Sequence, residues 1–219
     1  MKIKSVIFDL DGTLIDSIHD IADSCNVILE KHGFETHSVD LYIKWIGEGA
    51  KLLIERALPE STDKAVVEQL LEEYIPLYRE NSTVKTVLFP GIDEVLDFMV
   101  DKGIVISILT NKPHVQTVKI VDYYLSKWPF NFVFGQRDNV PKKPDPGVAL
   151  QIASRTKAKP NEVLFIGDSK TDIKTAIAAN MHIVGVTWGY GTIESMKQAG
   201  CNEFVSTAEE LLKYIKENL

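Results

Sequence analysis

Two aspartates at the end of an apolar run are the first residues whose spacing indicates chemistry. Asp9 and Asp11 follow the apolar residues 3–8 and are continued by Gly12 and Thr13. Residues two apart in a strand share a face, so both carboxylates would converge at the strand's end. Carboxylates held together repel each other, and folds that place them so use them for a metal ion or as an acid/base pair. The alternative is a solvated turn, because Asp and Gly are ordinary turn residues.

Other polar residues follow later apolar runs in the same way. They are Thr110 and Asn111 after residues 104–109, Lys143 in the loop after residues 132–134, and Asp168 and Asp172 after residues 163–166. Taken singly, each has an ordinary explanation: a helix-entry turn, a solvated loop, or an acid favoured by a helix dipole. Parallel sheets, however, bind ligands beyond the carboxyl ends of their strands. Taken together, these residues therefore predict one site.

The predicted site suits a magnesium ion and a phosphate group. Mg²⁺ prefers hard oxygen ligands, takes one or two carboxylates and keeps several waters. The acids that would form such an oxygen-rich cluster are Asp9, Asp11, Asp168 and Asp172. Lys143 and Thr110 would bind the same phosphate from the other side.

Attack of a carboxylate on a phosphate ester is the reaction that these groups can support. A carboxylate and a phosphate oxyanion about 4 Å apart repel each other by about 4 kcal/mol per charge pair at an effective dielectric of about 20. Mg²⁺ and a lysine offset that repulsion. An aspartate nucleophile would form an aspartyl phosphate and so split the transfer into two easier steps. A second acid would protonate the leaving oxygen and later deprotonate water.

The elements that must position these residues alternate between strands and helices. Apolar runs predict strands at residues 3–8, 104–109, 132–134, 163–166, 183–186 and 203–205. Helical periodicity lies between or after them at residues 115–125, 146–155, 172–179 and 208–219. Apolar strands that alternate with helices are typical of a parallel sheet covered on both faces. The sequence thus predicts an α/β fold with a Rossmann-like parallel core.

A second, all-helical block interrupts this alternation. Apolar residues recur at helical spacing over residues 18–29, 52–58 and 65–75, and Pro76 is predicted to kink or end the third helix. We therefore expect a catalytic core of residues 1–15 and 86–219 and an inserted helical cap of residues 16–85.

Composition narrows the class of protein. The 219 residues are 45% hydrophobic and 25% charged, which is typical of a globular protein. A net charge of -7 argues against a nucleic-acid partner, and no apolar run approaches the ~20 residues that span a bilayer. Charged residues appear within the first ten, so no signal peptide is expected. The two distant cysteines, Cys25 and Cys201, favour free thiols in a reducing cytoplasm.

The ordered motifs resemble those of the haloacid dehalogenase superfamily over essentially the whole chain. The motifs are Asp9-x-Asp11-Gly12-Thr13, Thr110-Asn111, Lys143-Pro144 and Gly167-Asp168-Ser169-x-x-Asp172. The resemblance implies that Asp9 is the nucleophile and Asp11 the acid/base. It also implies Mg²⁺ on Asp9, the Asp11 backbone carbonyl and Asp168, a supporting Asp172, and phosphate on Thr110, Asn111 and Lys143. True dehalogenases lack the second acid, so Asp11 favours phosphoryl transfer.

Within the superfamily the chain most resembles phosphoglycolate phosphatases, through residues 11–17, 47–49, 89–91 and 186–191. This resemblance implies a hydrolase of a small phosphorylated metabolite, with 2-phosphoglycolate as the first choice. Pyrophosphatases, nucleotidases and β-phosphoglucomutase of the same superfamily are the alternatives. A more distant alternative is a receiver-like signalling module. Asp11 and the helical insertion argue against it. The choice between monomer and homodimer stays open.

Three cationic side chains in the predicted cap are candidate partners for a substrate carboxylate. They are Lys44, Lys51 and Arg56. The alternative for each is an ordinary solvated charge on a helix face.

Overall fold

Six parallel strands form the central sheet of the computed structural model, which describes residues 3–219; residues 1 and 2 of the predicted core lie outside it. The strands are β1 (Ser5–Phe8), β4 (Val105–Pro113), β5 (Phe132–Gln136), β6 (Val163–Gly167), β7 (His182–Val186) and β8 (Phe204–Val205). Their order in the sheet is β5-β4-β1-β6-β7-β8, and every neighbouring pair is parallel. The predicted α/β fold is therefore confirmed, and each predicted strand lies in this sheet.

Within the described residues 3–219, ten α-helices surround the sheet or form the inserted block. They are α1 (Ile18–Lys31), α2 (Val39–Trp45), α3 (Ala50–Ala57), α4 (Lys64–Asn81), α5 (Ile92–Asp101), α6 (His114–Tyr124), α7 (Gly147–Arg155), α8 (Lys170–Ala178), α9 (Ile193–Gln198) and α10 (Ala208–Glu217). A search of residues 3–219 finds no helix long and apolar enough to cross a membrane.

The two faces of the sheet bury different helices, because side chains of a strand alternate between faces. Val6 and Phe8 of β1 belong to the apolar cluster that contains the buried residues of α5, α6 and α10. Ile7, between them, belongs to the cluster that contains the buried residues of α7. Both faces are thus covered, as apolar parallel strands require.

The inserted helices α1 to α4 have an apolar core of their own. Their buried side chains form one cluster, in which Leu29, Ile54 and Leu70 are fully buried. The block is joined to the sheet domain where β2 (Ile15–Asp16) pairs with the antiparallel β3 (Val87–Leu88). This pairing lies at the predicted boundaries near residues 16 and 85, which stay a prediction.

Helix α4 departs from the sequence prediction, because it continues through Pro76 to Asn81. A helix end at Pro76 is therefore wrong. Proline removes one backbone donor and crowds the preceding turn. Tertiary contacts offset that cost: Tyr74 and Tyr78 on either side of Pro76 are buried, and Gln116 Nε2 of α6 donates to the Ile75 carbonyl at 2.8 Å.

Three helices were not predicted from the sequence. In α5 the buried residues Ile92, Val95, Leu96 and Met99 recur at helical spacing, so the signal is present in the sequence. By contrast, α2 and α9 are short and bury one side chain each, Tyr42 and Met196. Such short helices give little periodicity to detect.

Strand β4 contains an irregularity at the point where it enters the site. Leu109 pairs with Phe134 and Pro113 with Gln136, so four steps along β4 face two steps along β5. Extra residues in one strand re-aim its side chains. Gly135 sits opposite, where a Cβ would lie 2.8 Å from the Lys112 carbonyl and 2.5 Å from Thr117 Oγ1. Absence of a side chain at Gly135 therefore lets the irregular segment pack closely.

Candidate active site

Three carboxylates converge where the central strands end. Asp9 directly follows β1 and Asp168 directly follows β6, and these two strands are neighbours in the sheet. Asp172 lies in the first turn of α8. One oxygen from each of the three carboxylates lies within 4.8 Å of the others, and all three residues are buried. The carboxylate convergence expected for Asp9, Asp168 and Asp172 is thus present.

Lys143 reaches into this cluster from the loop after β5. Its Nζ lies 2.5 Å from Asp172 Oδ1 and 2.9 Å from Asp9 Oδ1, and its side chain is 2% exposed. The other oxygen of Asp172 accepts hydrogen bonds from the backbone N–H and hydroxyl of Ser169, at 3.1 and 2.6 Å. The bond from the Ser169 N–H is half of a helix capping box, which the Asp172 N–H completes by donating to Ser169 Oγ at 3.4 Å, so the start of α8 also fixes the Asp172 carboxylate.

The cluster carries more negative than positive charge. Burial, with the neighbouring Asp172, raises the pKa of Asp9 to about 6 against the opposing effect of Lys143. Burial together with Asp172 and Asp9 raises the pKa of Asp168 to about 8. Burial alone would lower the pKa of Lys143, but the two carboxylates beside it outweigh that effect and raise it. A site with these raised carboxylate pKa values favours a further cation.

Asp11 faces the inserted helices rather than the three-carboxylate cluster. Its Oδ1 accepts a hydrogen bond from Ser17 Oγ at 2.5 Å, and the Nζ of Lys112 lies 2.7 and 3.0 Å from its two oxygens. Lys112 in turn lies 2.5 Å from the hydroxyl of Tyr78 on α4. Neither Lys112 nor Tyr78 is among the site residues predicted from the sequence.

The irregular part of β4 brings three consecutive residues to the same cavity: Thr110, Asn111 and Lys112. A regular strand would turn the middle one to the opposite face. Asn111 exchanges hydrogen bonds with the backbone of Lys143, whose N–H donates at 2.9 Å and whose carbonyl accepts at 3.1 Å. Its amide also lies 3.1 Å from the Gly47 carbonyl of the cap. The amide thus supports Lys143, and its predicted phosphate contact stays a prediction, as does that of Thr110.

A cavity of about 670 Å³ lies between the carboxylates and the helical cap. Its walls include Asp9, Asp11 and Asp168 on the sheet side and Tyr74 and Tyr78 on the cap side. Small-molecule sites are commonly clefts of about 300–1,000 Å³. The cap therefore encloses the carboxylates in a space of suitable size for a small ligand.

The three candidate cations of the cap differ in their surroundings. Lys51 forms an ion pair with Glu68, and Arg56 forms one with Glu48 at 2.8 Å. Lys44 lines the cavity. Of the three, Lys44 is the residue that faces ligand space.

The loop after β7 also organises the site. The backbone N–H groups of Tyr190 and Gly191 donate to Asp168 Oδ2 at 2.6 and 3.3 Å. The Tyr190 hydroxyl accepts from the Ser17 backbone N–H at 2.8 Å and donates to Asp16 Oδ1 at 2.9 Å. This loop therefore positions two parts of the molecule at the same time: a carboxylate of the cluster, and the residues Asp16 and Ser17 that lead into α1 of the cap.

Two strand-end acids, a buried lysine and an acidic cluster lie together under the inserted helices, an arrangement suited to hydrolysis at a phosphate group. Residues 6–186 match the family model described as haloacid dehalogenase-like hydrolase. The chain therefore belongs to the haloacid dehalogenase-like hydrolase family.

Named relatives narrow the class. A phosphoglycolate phosphatase of Psychrobacter arcticus is 30% identical over 222 residues, covering 98% of this chain and 96% of the relative. One of Haemophilus influenzae is 36% identical over 201 residues, covering 86% and 88%. The crystal structure of a predicted phosphoglycolate phosphatase from Haemophilus somnus superposes with a TM-score of 0.91 at 27% identity, covering 98% of this chain and 99% of the other. The expectation of a phosphatase is confirmed.

Proposed function

We propose that the chain is a Mg²⁺-dependent phosphomonoester hydrolase that acts through an aspartyl phosphate, with 2-phosphoglycolate as substrate. The observation that carries the proposal is the buried meeting of Asp9, Asp168, Asp172 and Lys143 at the floor of the capped cavity. The choice of substrate is supported by the relatives, which are named phosphoglycolate phosphatases.

The donor set fits Mg²⁺. Three buried carboxylates lie together and the Lys143 ammonium contacts two of them, Asp9 and Asp172, so a hard divalent cation would complete the charge balance. We expect Asp9, Asp168 and the backbone carbonyl of Asp11 to hold the ion, with Asp172 in support. When bound, the ion would reduce the repulsion between the nucleophile and the phosphate and stabilise charge on the transferring group.

The reaction would use the two aspartates in separate roles. A carboxylate oxygen of Asp9 attacks phosphorus, the bond to the ester oxygen breaks, and that oxygen takes its electron pair and a proton from Asp11. Water then attacks the phosphorus of the aspartyl phosphate and gives a proton back to Asp11. The bond to Asp9 breaks, and inorganic phosphate and the free carboxylate are regenerated.

Three further residues would bind the transferred phosphoryl group. Lys143, which touches Asp9, supplies positive charge at the point of attack. Thr110 and Asn111 line the same cavity and would donate hydrogen bonds to phosphate oxygens. On the leaving-group side, Lys44 of the cap would attract a substrate that carries a carboxylate.

A panel of phosphorylated compounds tests the proposal. We expect kcat/KM to be highest for 2-phosphoglycolate among phosphoglycolate, pyrophosphate, nucleoside monophosphates and sugar phosphates, and to vanish with EDTA. A preference for pyrophosphate or nucleotides would assign another substrate to the same chemistry, and formation of an isomeric sugar phosphate would indicate a mutase. A phosphoenzyme that persists for minutes without turnover would favour the receiver-like alternative.

We propose a cytoplasmic location for this activity. Cys25 and Cys201 are both free and buried, as expected for a protein kept in a reducing compartment. Recovery of the protein in a soluble cytoplasmic fraction of its host, judged against a periplasmic marker, would test this.

A further inference from the structure

Lys112 is a buried lysine that the proposed reaction does not yet use. Its side chain is 2% exposed, and its ammonium touches both oxygens of Asp11. Burying a charged lysine costs free energy unless the charge is paired, so this ion pair explains why the fold tolerates a buried lysine at this position. The same pair also ties the proposed acid/base to a single side-chain arrangement.

The contacts of Asp11 leave its carboxylate little freedom. Ser17, the residue directly before α1, approaches Oδ1 with its hydroxyl, and Lys112 at the end of β4 approaches both oxygens with its ammonium group. An acid that protonates a leaving oxygen must be within hydrogen-bond reach of that oxygen, and small errors in placement are costly in rate. The position of Asp11 therefore depends on where Lys112 is held.

Lys112 is itself held by the cap. The hydroxyl of Tyr78 lies 2.5 Å from its Nζ, and the Nζ lies 4.6 Å from the centre of the Tyr78 ring. Tyr78 is 1% exposed and stacks on Tyr74, with ring centres 5.5 Å apart. A rigid aromatic pair of the cap thus fixes the ammonium group from the side opposite the sheet.

We infer that Lys112 is a positioning residue, which together with Tyr78 of the cap orients the side chain of Asp11 as it gives the leaving oxygen the proton that it took from water in the preceding turnover. This inference rests on the proposed function and deepens it. It assigns to the cap a part in proton transfer as well as in enclosing the substrate.

The dependence on the leaving group tests the inference. An alkyl phosphate such as 2-phosphoglycolate needs a proton on its leaving oxygen, whereas p-nitrophenyl phosphate releases a stabilised phenolate and needs little help. We expect Lys112→Met to lower kcat/KM about 100-fold for the alkyl ester and less than about 5-fold for the aryl ester, since acid catalysis is worth about 10²–10⁴. Because kcat/KM covers only the steps up to release of the leaving group, hydrolysis of the aspartyl phosphate does not mask the difference.

Lys119→Met is the matched control. Lys119 lies on α6, the helix that follows β4, and its ammonium donates to the carbonyls of Arg79 and Glu80 on α4 and not to Asp11. We expect this variant to keep the ratio of alkyl to aryl activity of the wild type. The same selective loss in Lys119→Met would show that docking of the cap, rather than Lys112, is responsible, and would overturn the inference.

Two further outcomes decide the matter. An equal fall for both esters in Lys112→Met would refute a positioning role in proton transfer. If Lys112→Met does not fold, Tyr78→Phe decides, with an expected selective loss of about 3- to 10-fold for the alkyl ester; an unchanged ratio would refute the inference. Failure of the proposed function is distinct, because the wild-type protein would then not hydrolyse 2-phosphoglycolate.

Discussion

The metal-free protein should lose stability between about pH 6.5 and 7.5, and Asp168 should be the main cause. Burial, with Asp172 and Asp9, raises the pKa of Asp168 from 3.8 to about 8. In this window the unfolded chain has released the proton, whereas the folded protein retains it. A raised carboxyl pKa contributes full stability below the unfolded pKa, and that contribution is lost as the pH rises toward the folded pKa. The free energy of unfolding must therefore fall.

In this pH window the change in the free energy of unfolding comes from Asp168 and not from Asp9, and its size can be calculated. The pKa of Asp9 is raised only to about 6, so Asp9 is largely ionised in both states above that pH. One proton per molecule then changes the free energy of unfolding by slightly less than about 1.4 kcal/mol per pH unit, or about 1 kcal/mol here. For a chain of this length, about 1 kcal/mol corresponds to about 2–4 °C in Tm.

Thermal unfolding followed by circular dichroism in EDTA measures this effect. Asp168→Asn is the control, because an amide does not titrate and other groups contribute equally to both proteins. We expect the difference between the Tm of the wild type and that of the variant to fall by about 2–4 °C across the window. Added Mg²⁺ should stabilise the wild type more at the higher pH, since it competes with the proton. Parallel pH curves for the two proteins would refute the reasoning.

Three further predictions follow from single residues. Asp9→Asn should abolish phosphate release while Tm stays within about 3 °C, since an amide is a near-isostere and a poor nucleophile; substantial residual turnover would contradict its role. Gly135→Ala should lower the free energy of unfolding by about 1–3 kcal/mol, measured in urea, because its Cβ would lie 2.5 Å from Thr117 Oγ1 and 2.6 Å from His114 Cα. Unchanged stability would mean that Thr117 and His114 move to make room for the added methyl group. Pro76→Ala should raise stability by about 1–2 kcal/mol through a restored helical hydrogen bond, and a loss would show that the proline suits the bent or docked helix.

The sheet and the acidic cluster were predictable because both follow from local patterns. Apolar runs such as residues 163–166 can be buried on both faces only in a covered parallel sheet. The rule that ligands lie beyond the carboxyl ends of such strands then brings Asp9 and Asp168 together, although 159 residues separate them. No detailed packing is needed for this step, since the order of strands and their direction suffice.

The support of the site was not predictable in the same way. The pairing of Lys112 with Asp11 depends on the irregularity in β4, whose signal in the sequence is the single residue Gly135 on the neighbouring strand. Tyr78 is reached only because α4 continues past Pro76, where helix propensity alone favours an end. Both features result from tertiary contacts that override local preference.

Contacts between α4 of the cap and α6 of the core connect the cap to Asp11. Gln116 Nε2 of α6 donates to the Ile75 carbonyl, one turn before Tyr78, so this part of the cap is held to the helix that follows Lys112. If the cap only covered the cavity with apolar side chains, its sequence could change without moving the reacting groups of the core. Here a change in the second half of α4 would move Tyr78, and through Lys112 it would move Asp11. We therefore expect substitutions that change substrate preference to lie on α2 and the loop around Gly47, which also line the cavity, rather than in the second half of α4.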